Sequence, residues 1–144
     1  MDEQRFIAAW RRAGSTQGDE RIGRVYRELE AHYDEPHRRY HTGEHVDFCL
    51  GKLDLVPDAY PHKTAVELAL WFHDVIYEIG DPENEANSAA WFRTCADGDL
   101  PADLVERVCR MIVATEHRQP PARADAAYVV DIDLCSFGRP YPEF

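Results

Sequence analysis

Three short segments carry residue types that could do chemistry together. The first is His73-Asp74, set inside AVELALWFHDVIY, the most apolar stretch of the chain. A charged Asp is seldom fully buried unless it is paired or binds a metal, and apolar residues on both sides of the pair leave little room for solvent. Successive helical residues point about 100° apart, so His73 and Asp74 reach one ion only if a helix end is directed at it. The competing explanation is an Asp bonded to a neighbouring helix N-terminus beside a packed His. The second segment is Tyr40-His41-Thr42-Gly43-Glu44-His45. Within a helix His41 and His45 would share a face, but Thr42 as N-cap would leave His41 ahead of the helix and His45 in its first turn. Either could equally be a surface His, or a core His bonded to a backbone carbonyl. The third segment is Val129-Val130-Asp131-Ile132-Asp133-Leu134. Its two Asp differ by about 200° on a helix, so one can face a buried site while the other faces away. Charge favoured by the helix dipole explains Asp131 as well, and Asp133 less well.

His45, His73, Asp74 and Asp133 thus form a possible set of two imidazoles and two carboxylates. That mixture suits one divalent ion per chain (Mn, Fe, Ni, Co or Zn, with Mg possible) and leaves positions open for water. A closed structural zinc site would use thiolates. The four cysteines, Cys49, Cys95, Cys109 and Cys135, have no CxxC spacing and are read as sharing no spacing with these His.

The elements that must position these residues read as helices. Segments alternating apolar and polar residues, the mark of strands, are nearly absent, and helix punctuation is frequent. The expected helices are Asp2 to Arg12; Glu20 to His32, capped by Asp19; Thr42 to about Leu55; His62 to Tyr77, ended by Gly80; one opened by Asp81-Pro82 and closed by Gly98; one opened by Asp99 or Pro101 and running to Thr115; and Ala126 to Phe137, with Gly138 just past its end. Residues 116–126 read as a loop, and RPYPEF at 139–144 as a connector.

Length and composition bound the rest. The chain has 144 residues, 44% of them apolar, with 16 Lys+Arg against 27 Asp+Glu and a net charge of −11. This fits one domain, residues 1–144, with enough apolar surface to build a core without disulfide or metal staples. The acidic balance argues against a nucleic-acid polymer and against an anionic membrane surface, both of which call for a positive face. No apolar run approaches the ~20 residues that span a bilayer, and MDEQRFIAAWRR lacks the apolar centre of a signal peptide. With sparse cysteines read as reduced thiols, the expectation is a cytoplasmic protein.

The order H…HD…D resembles the HD superfamily of metal-dependent phosphohydrolases. EPHRRYHTGEHV, ELALWFHDVIYE, NEANSA, IVATEH and DIDLCSFG occur in sequence and are similar to a branch of small bacterial proteins described as predicted metal-dependent HD phosphohydrolases without an assigned substrate. The likeness runs from about Trp10 to Gly138. It implies an all-α HD-domain bundle of about seven helices, with further helix beyond the C-terminus that is missing or short here. It also implies His45, His73, Asp74 and one of Asp131 and Asp133 as metal ligands. Relatives with a D-x-D pattern, such as dNTP triphosphohydrolases, use the second Asp, which favours Asp133 and leaves Asp131 to orient a ligand or water.

The activity so implied is hydrolysis of a phosphate ester of a nucleotide or similar small phosphorylated metabolite at a mononuclear site. Asp74 would bind metal and accept a proton from water, and His117 would serve as general acid or phosphate contact. Arg38, Arg39, Arg118, His41 and Glu85 are the substrate-side candidates, with Lys63 and His37 beside them; solvated charge, or helix-start chemistry for Glu85, explains each singly. A metal- and nucleotide-binding regulator without turnover is the alternative. A di-iron oxygenase on the same fold would need two further His between the HD pair and the last Asp, where only His117 lies. Faces of the first two helices could serve a homodimer.

Overall fold

A computed structural model describes residues 1–138, so the 139–144 connector lies outside the described residues. Those residues are all-helical: α1 (Glu3–Arg12), α2 (Asp19–Tyr33), α3 (Gly43–Leu53), α4 (Lys63–Phe72), α5 (Asn84–Ala96), α6 (Ala102–Ala114) and α7 (Ala124–Leu134), followed by a 3-10 turn over Cys135–Gly138. The expected all-α bundle of seven helices is what forms. Punctuation explains several ends. The Asp2 carboxylate accepts the Gln4 and Arg5 amides at 2.9 and 3.2 Å and starts α1. Gly14, at φ +112°, turns the chain after α1 where a side chain would be strained.

α4 is the axis of the bundle. It packs against α1, α3, α5, α6 and α7, and every residue from Ala65 to Phe72 is buried. A helix apolar on all sides can sit only in such a place. Its one charged buried residue, Glu67, is neutralised from α1, where Arg5 Nε and Arg12 Nη2 donate to its two oxygens at 2.9 and 2.7 Å. Around it, Phe6, Trp10, Trp71, Phe72 and Phe92 form a continuous aromatic core with ring centroids 4.9–6.1 Å apart.

Two boundaries differ from expectation in ways that matter. α4 ends at Phe72, not Tyr77, so His73-Asp74 lies on the turn beyond the helix rather than within it. The chain leaves the helical path because other elements satisfy its backbone: Tyr33 Oη donates to Trp71 O, Arg38 donates to Asp74 O and Val75 O, and Ser88 Oγ accepts the Ile76 amide. Apolar periodicity does not reveal this, since Val75 and Ile76 continue the run. α5 starts at Asn84 rather than Pro82. Asp81 Oδ1 accepts the Glu83 amide in a local turn, and the Asn84 side chain bonds both backbone groups of Glu78. The NEANS segment therefore staples the strap after the HD pair. At the remaining ends, α3 stops at Leu53 and α7 at Leu134.

Candidate metal centre

Three elements bring the donors together. The first turn of α3 supplies His45, the end of α4 supplies His73 and Asp74, and the last turn of α7 supplies Asp133; α3, α4 and α7 pack mutually. Because α4 stops at Phe72, the side chains of two consecutive residues leave its end toward one point.

The separations are those of ligands sharing an ion. His45 Nε2 lies 3.2 Å from His73 Nε2, 3.0 Å from Asp133 Oδ1 and 3.6 Å from Asp74 Oδ2. His73 Nε2 lies 3.2 Å from Asp74 Oδ2 and 3.6 Å from Asp133 Oδ1. Donors about 2.1 Å from a common ion stand about 3.0 Å apart in octahedral geometry and about 3.4 Å apart in tetrahedral geometry. The residues present therefore fit a divalent ion in both spacing and donor type.

The surroundings orient each donor. His73 Nδ1–H donates to the Leu70 carbonyl at 2.9 Å, which in the neutral ring leaves the Nε2 lone pair facing the cluster. Ligating His residues are commonly held this way. His41 Nδ1 bonds Asp74 Oδ2 at 2.9 Å, and His117 Nε2 bonds the outer oxygen of Asp133 at 2.9 Å. Each carboxylate thus carries a further imidazole, His41 on the Asp74 oxygen that faces the cluster and His117 on the far oxygen of Asp133, and both rings are about one-third accessible. His45 and His73 are buried.

Electrostatics agree. Burial opposes charge on His73, but Asp74 and Asp133 outweigh it and hold the imidazole well above its ordinary pKa. Burial likewise opposes charge on Asp74, yet the His73 charge and hydrogen bonds from His41 and His73 keep its carboxyl well below the usual range. Asp133 is also lowered, with burial overcome by hydrogen bonds from His45 and His73. A pair of carboxylates that favours a proton on Nε2 favours a cation in its place.

The other candidates fall into place as follows. Asp131 is exposed and faces away from the cluster, while Asp133 faces in. Arg38 is corrected: its side chain is 0% exposed and bonds Glu35 and the backbone carbonyls of His41, Asp74 and Val75, so its guanidinium is engaged in structure, not open to phosphate. Arg39 lines an acidic cleft with Asp34, Glu44 and Asp47. Arg118 turns to Pro82 O and Glu116, on a cleft of about 750 Å³ between α5, α6 and the 116–122 loop that includes none of the four donors. Glu85 stands in the first turn of α5 and, among the described residues, has no bond to the cluster. His37 donates Nε2–H to Tyr77 O at 2.7 Å, and Lys63 is held by Val56 O and Asp58.

Comparison with family models, curated proteins and solved structures finds no match for this chain. The reading of the centre rests on its own residues.

One residue beside the cluster escaped the sequence reading. Cys49 Sγ lies 3.7 Å from His45 Nε2 and within 4.8 Å of the nearest donor atoms of His73 and Asp133. The cysteines do therefore share a spacing with the His: His45 and Cys49 are one helical turn apart on α3, a signal available once α3 is granted as a helix.

The two Asp of α7 give a direct check. Asp133→Asn is expected to weaken binding of a divalent ion by on the order of 100-fold or more, beyond the 10–100-fold that outer-shell changes cost. Asp131→Asn is expected to leave it unchanged. Titration of both variants with Mn²⁺ or Zn²⁺ by calorimetry distinguishes them, and equal affinities would remove Asp133 from the ligand set.

Proposed function

We propose that the protein is a metal-dependent phosphohydrolase, of the HD type that its motifs resemble, acting on a small phosphorylated metabolite at a mononuclear centre. The observation that carries this reading is the convergence of His45, His73, Asp74 and Asp133 on one point, with His41 on the cluster-facing oxygen of Asp74 and His117 on the far oxygen of Asp133. When bound, a divalent ion supplies Lewis acidity toward water and a phosphoryl oxygen.

The chain's own residues do the rest. His45, His73, Asp74 and Asp133 hold the ion; His41 fixes Asp74, and its partly accessible ring borders the centre. Asp74 Oδ2 is a proton acceptor at the inner edge. His117 Nε2 lies 2.9 Å from Asp133 Oδ2 on a ring about one-third open to solvent, the place from which it serves as general acid. His117 adopts φ +55°, a left-handed conformation uncommon for side-chain-bearing residues. Such strain persists where surrounding structure imposes it, and it clusters at functional sites.

The test is elemental analysis joined to a hydrolysis screen on phosphate esters with Mn²⁺, Ni²⁺, Co²⁺ and Mg²⁺. About one ion per chain together with metal-dependent phosphate release is expected. In this screen His117→Ala should keep its ion and lose turnover by roughly 10²–10⁴-fold, the range for a general acid. An ion-loaded protein that releases phosphate from no ester would favour the non-catalytic metal- and nucleotide-binding regulator. Two irons per chain would favour the oxygenase, and a protein that takes up no ion would overturn the metal reading itself.

A further inference from the structure

We propose that Cys49 is a further donor of the centre, and that its thiolate strengthens the preference of the site for Zn²⁺ and Co²⁺ over Mg²⁺ and Mn²⁺. This inference rests on the metal reading above and deepens it. Two imidazoles and two carboxylates already favour the later ions, and a thiolate widens that preference.

The geometry supports a shared ion. Donors at about 2.3 Å (sulfur) and 2.0–2.1 Å (nitrogen) from one five-coordinate ion stand about 3.1 Å apart at 90° and about 3.7–3.8 Å apart at 120°. Cys49 Sγ is 3.7 Å from His45 Nε2, the nitrogen that faces His73 and Asp133. It is also within 4.8 Å of the donor atoms of those two residues. Cys49 is fully buried, as are its neighbours on the same face of α3, Val46 and Leu50. A small buried thiol there is otherwise an ordinary core residue. What separates it from Cys109, also buried, is its partner: Cys109 Sγ donates to the carbonyl of Ala89, far from any imidazole pair, while Cys49 abuts a nitrogen that already has two other donors around it.

The proton balance is simple. As the metal–sulfur bond forms, the Cys49 S–H bond breaks and its proton goes to solvent, so uptake of Zn²⁺ releases one more proton from wild type than from Cys49→Ser.

The experiment uses Co²⁺ and Zn²⁺ as probes on the whole chain. Co²⁺-loaded wild type is expected to show a thiolate-to-cobalt charge-transfer band in the near ultraviolet. Cys49→Ser should bind Co²⁺ without that band, and the exposed Cys135→Ser should retain it. Zn²⁺ affinity should fall at least roughly tenfold in Cys49→Ser, with Mn²⁺ affinity unchanged. X-ray absorption on Zn²⁺-loaded wild type should find one sulfur at about 2.3 Å, a measurement that needs no variant. Visible cobalt bands without the charge-transfer band, together with zinc surrounded by nitrogen and oxygen alone, would overturn the role of Cys49 and leave the four-residue centre standing. Failure of wild type to bind either ion would instead overturn the metal reading.

Discussion

His73→Ala is expected to reduce bound metal from about one ion per chain to a trace, and to abolish any hydrolysis that depends on it. His73 is the residue on which the cluster turns. Its Nε2 lies within 3.2 Å of the nearest oxygen of Asp74 and of His45 Nε2, and its own charge is the chief attraction that keeps Asp74 ionised against burial. Truncation removes a ligand and leaves two carboxylates facing each other across the gap. Changes in residues that merely support a ligand cost roughly 10–100-fold in metal affinity, so loss of an inner donor should exceed 100-fold. Elemental analysis after gel filtration, with circular dichroism to confirm the helices, checks it. Retention of a full equivalent of metal by a folded His73→Ala protein would show that the ion sits elsewhere.

Arg38→Ala is expected to destabilise the fold more than any surface change, by about 3–5 kcal/mol, the cost of breaking a buried charged network. The guanidinium donates to His41 O at 2.9 Å, Asp74 O at 2.7 Å, Val75 O at 2.7 Å and Glu35 Oε2 at 3.1 Å, and stacks near the rings of Tyr33 and Tyr77 at 5.1 and 5.7 Å. Removing it strands three carbonyls, each worth roughly 1–3 kcal/mol when left unsatisfied. In a chain of this size the midpoint of thermal unfolding should fall by roughly 10 °C. Arg38→Lys should recover little, because an ammonium cannot span a fork of carbonyls. A melting point within about 2 °C of wild type would show that water replaces the guanidinium at no great cost.

Much of this architecture is legible in the sequence, for reasons that particular residues make plain. Asp2 and Gly14 mark the two ends of α1, and the run of α4, apolar from Ala65 to Phe72 but for Glu67, announces a central helix. That Asp131 and Asp133 point in opposed directions follows from their spacing, whereas the preference for Asp133 comes only from the resemblance to relatives with a D-x-D pattern. What stays hidden is tertiary. Nothing in VIY shows that the helix stops before it, because the stop is made by Arg38, Tyr33 and Ser88 from distant elements. Arg38 itself looks like any surface Arg beside a His-rich loop. Its burial follows only from the carbonyls that the turn exposes. The same applies to Arg118, whose neighbour His117 reaches Asp133 while its own side chain turns to Pro82.

His45 and Asp133 are 88 residues apart in the chain. Bringing the ends of a loop that long together costs on the order of 4 kcal/mol in chain entropy. Helices form within about a microsecond, and pairs such as α1 with α2 or α5 with α6 need only short closures. The contact of α3 with α7 joins the most distant of these segments, while α7 also packs on its neighbour α6. The centre is complete only when α3, α4 and α7 are all docked. A ligand held jointly by α3, α4 and α7 binds only the closed chain, so its binding adds to the stability of that state over any form in which one of the three helices has come away.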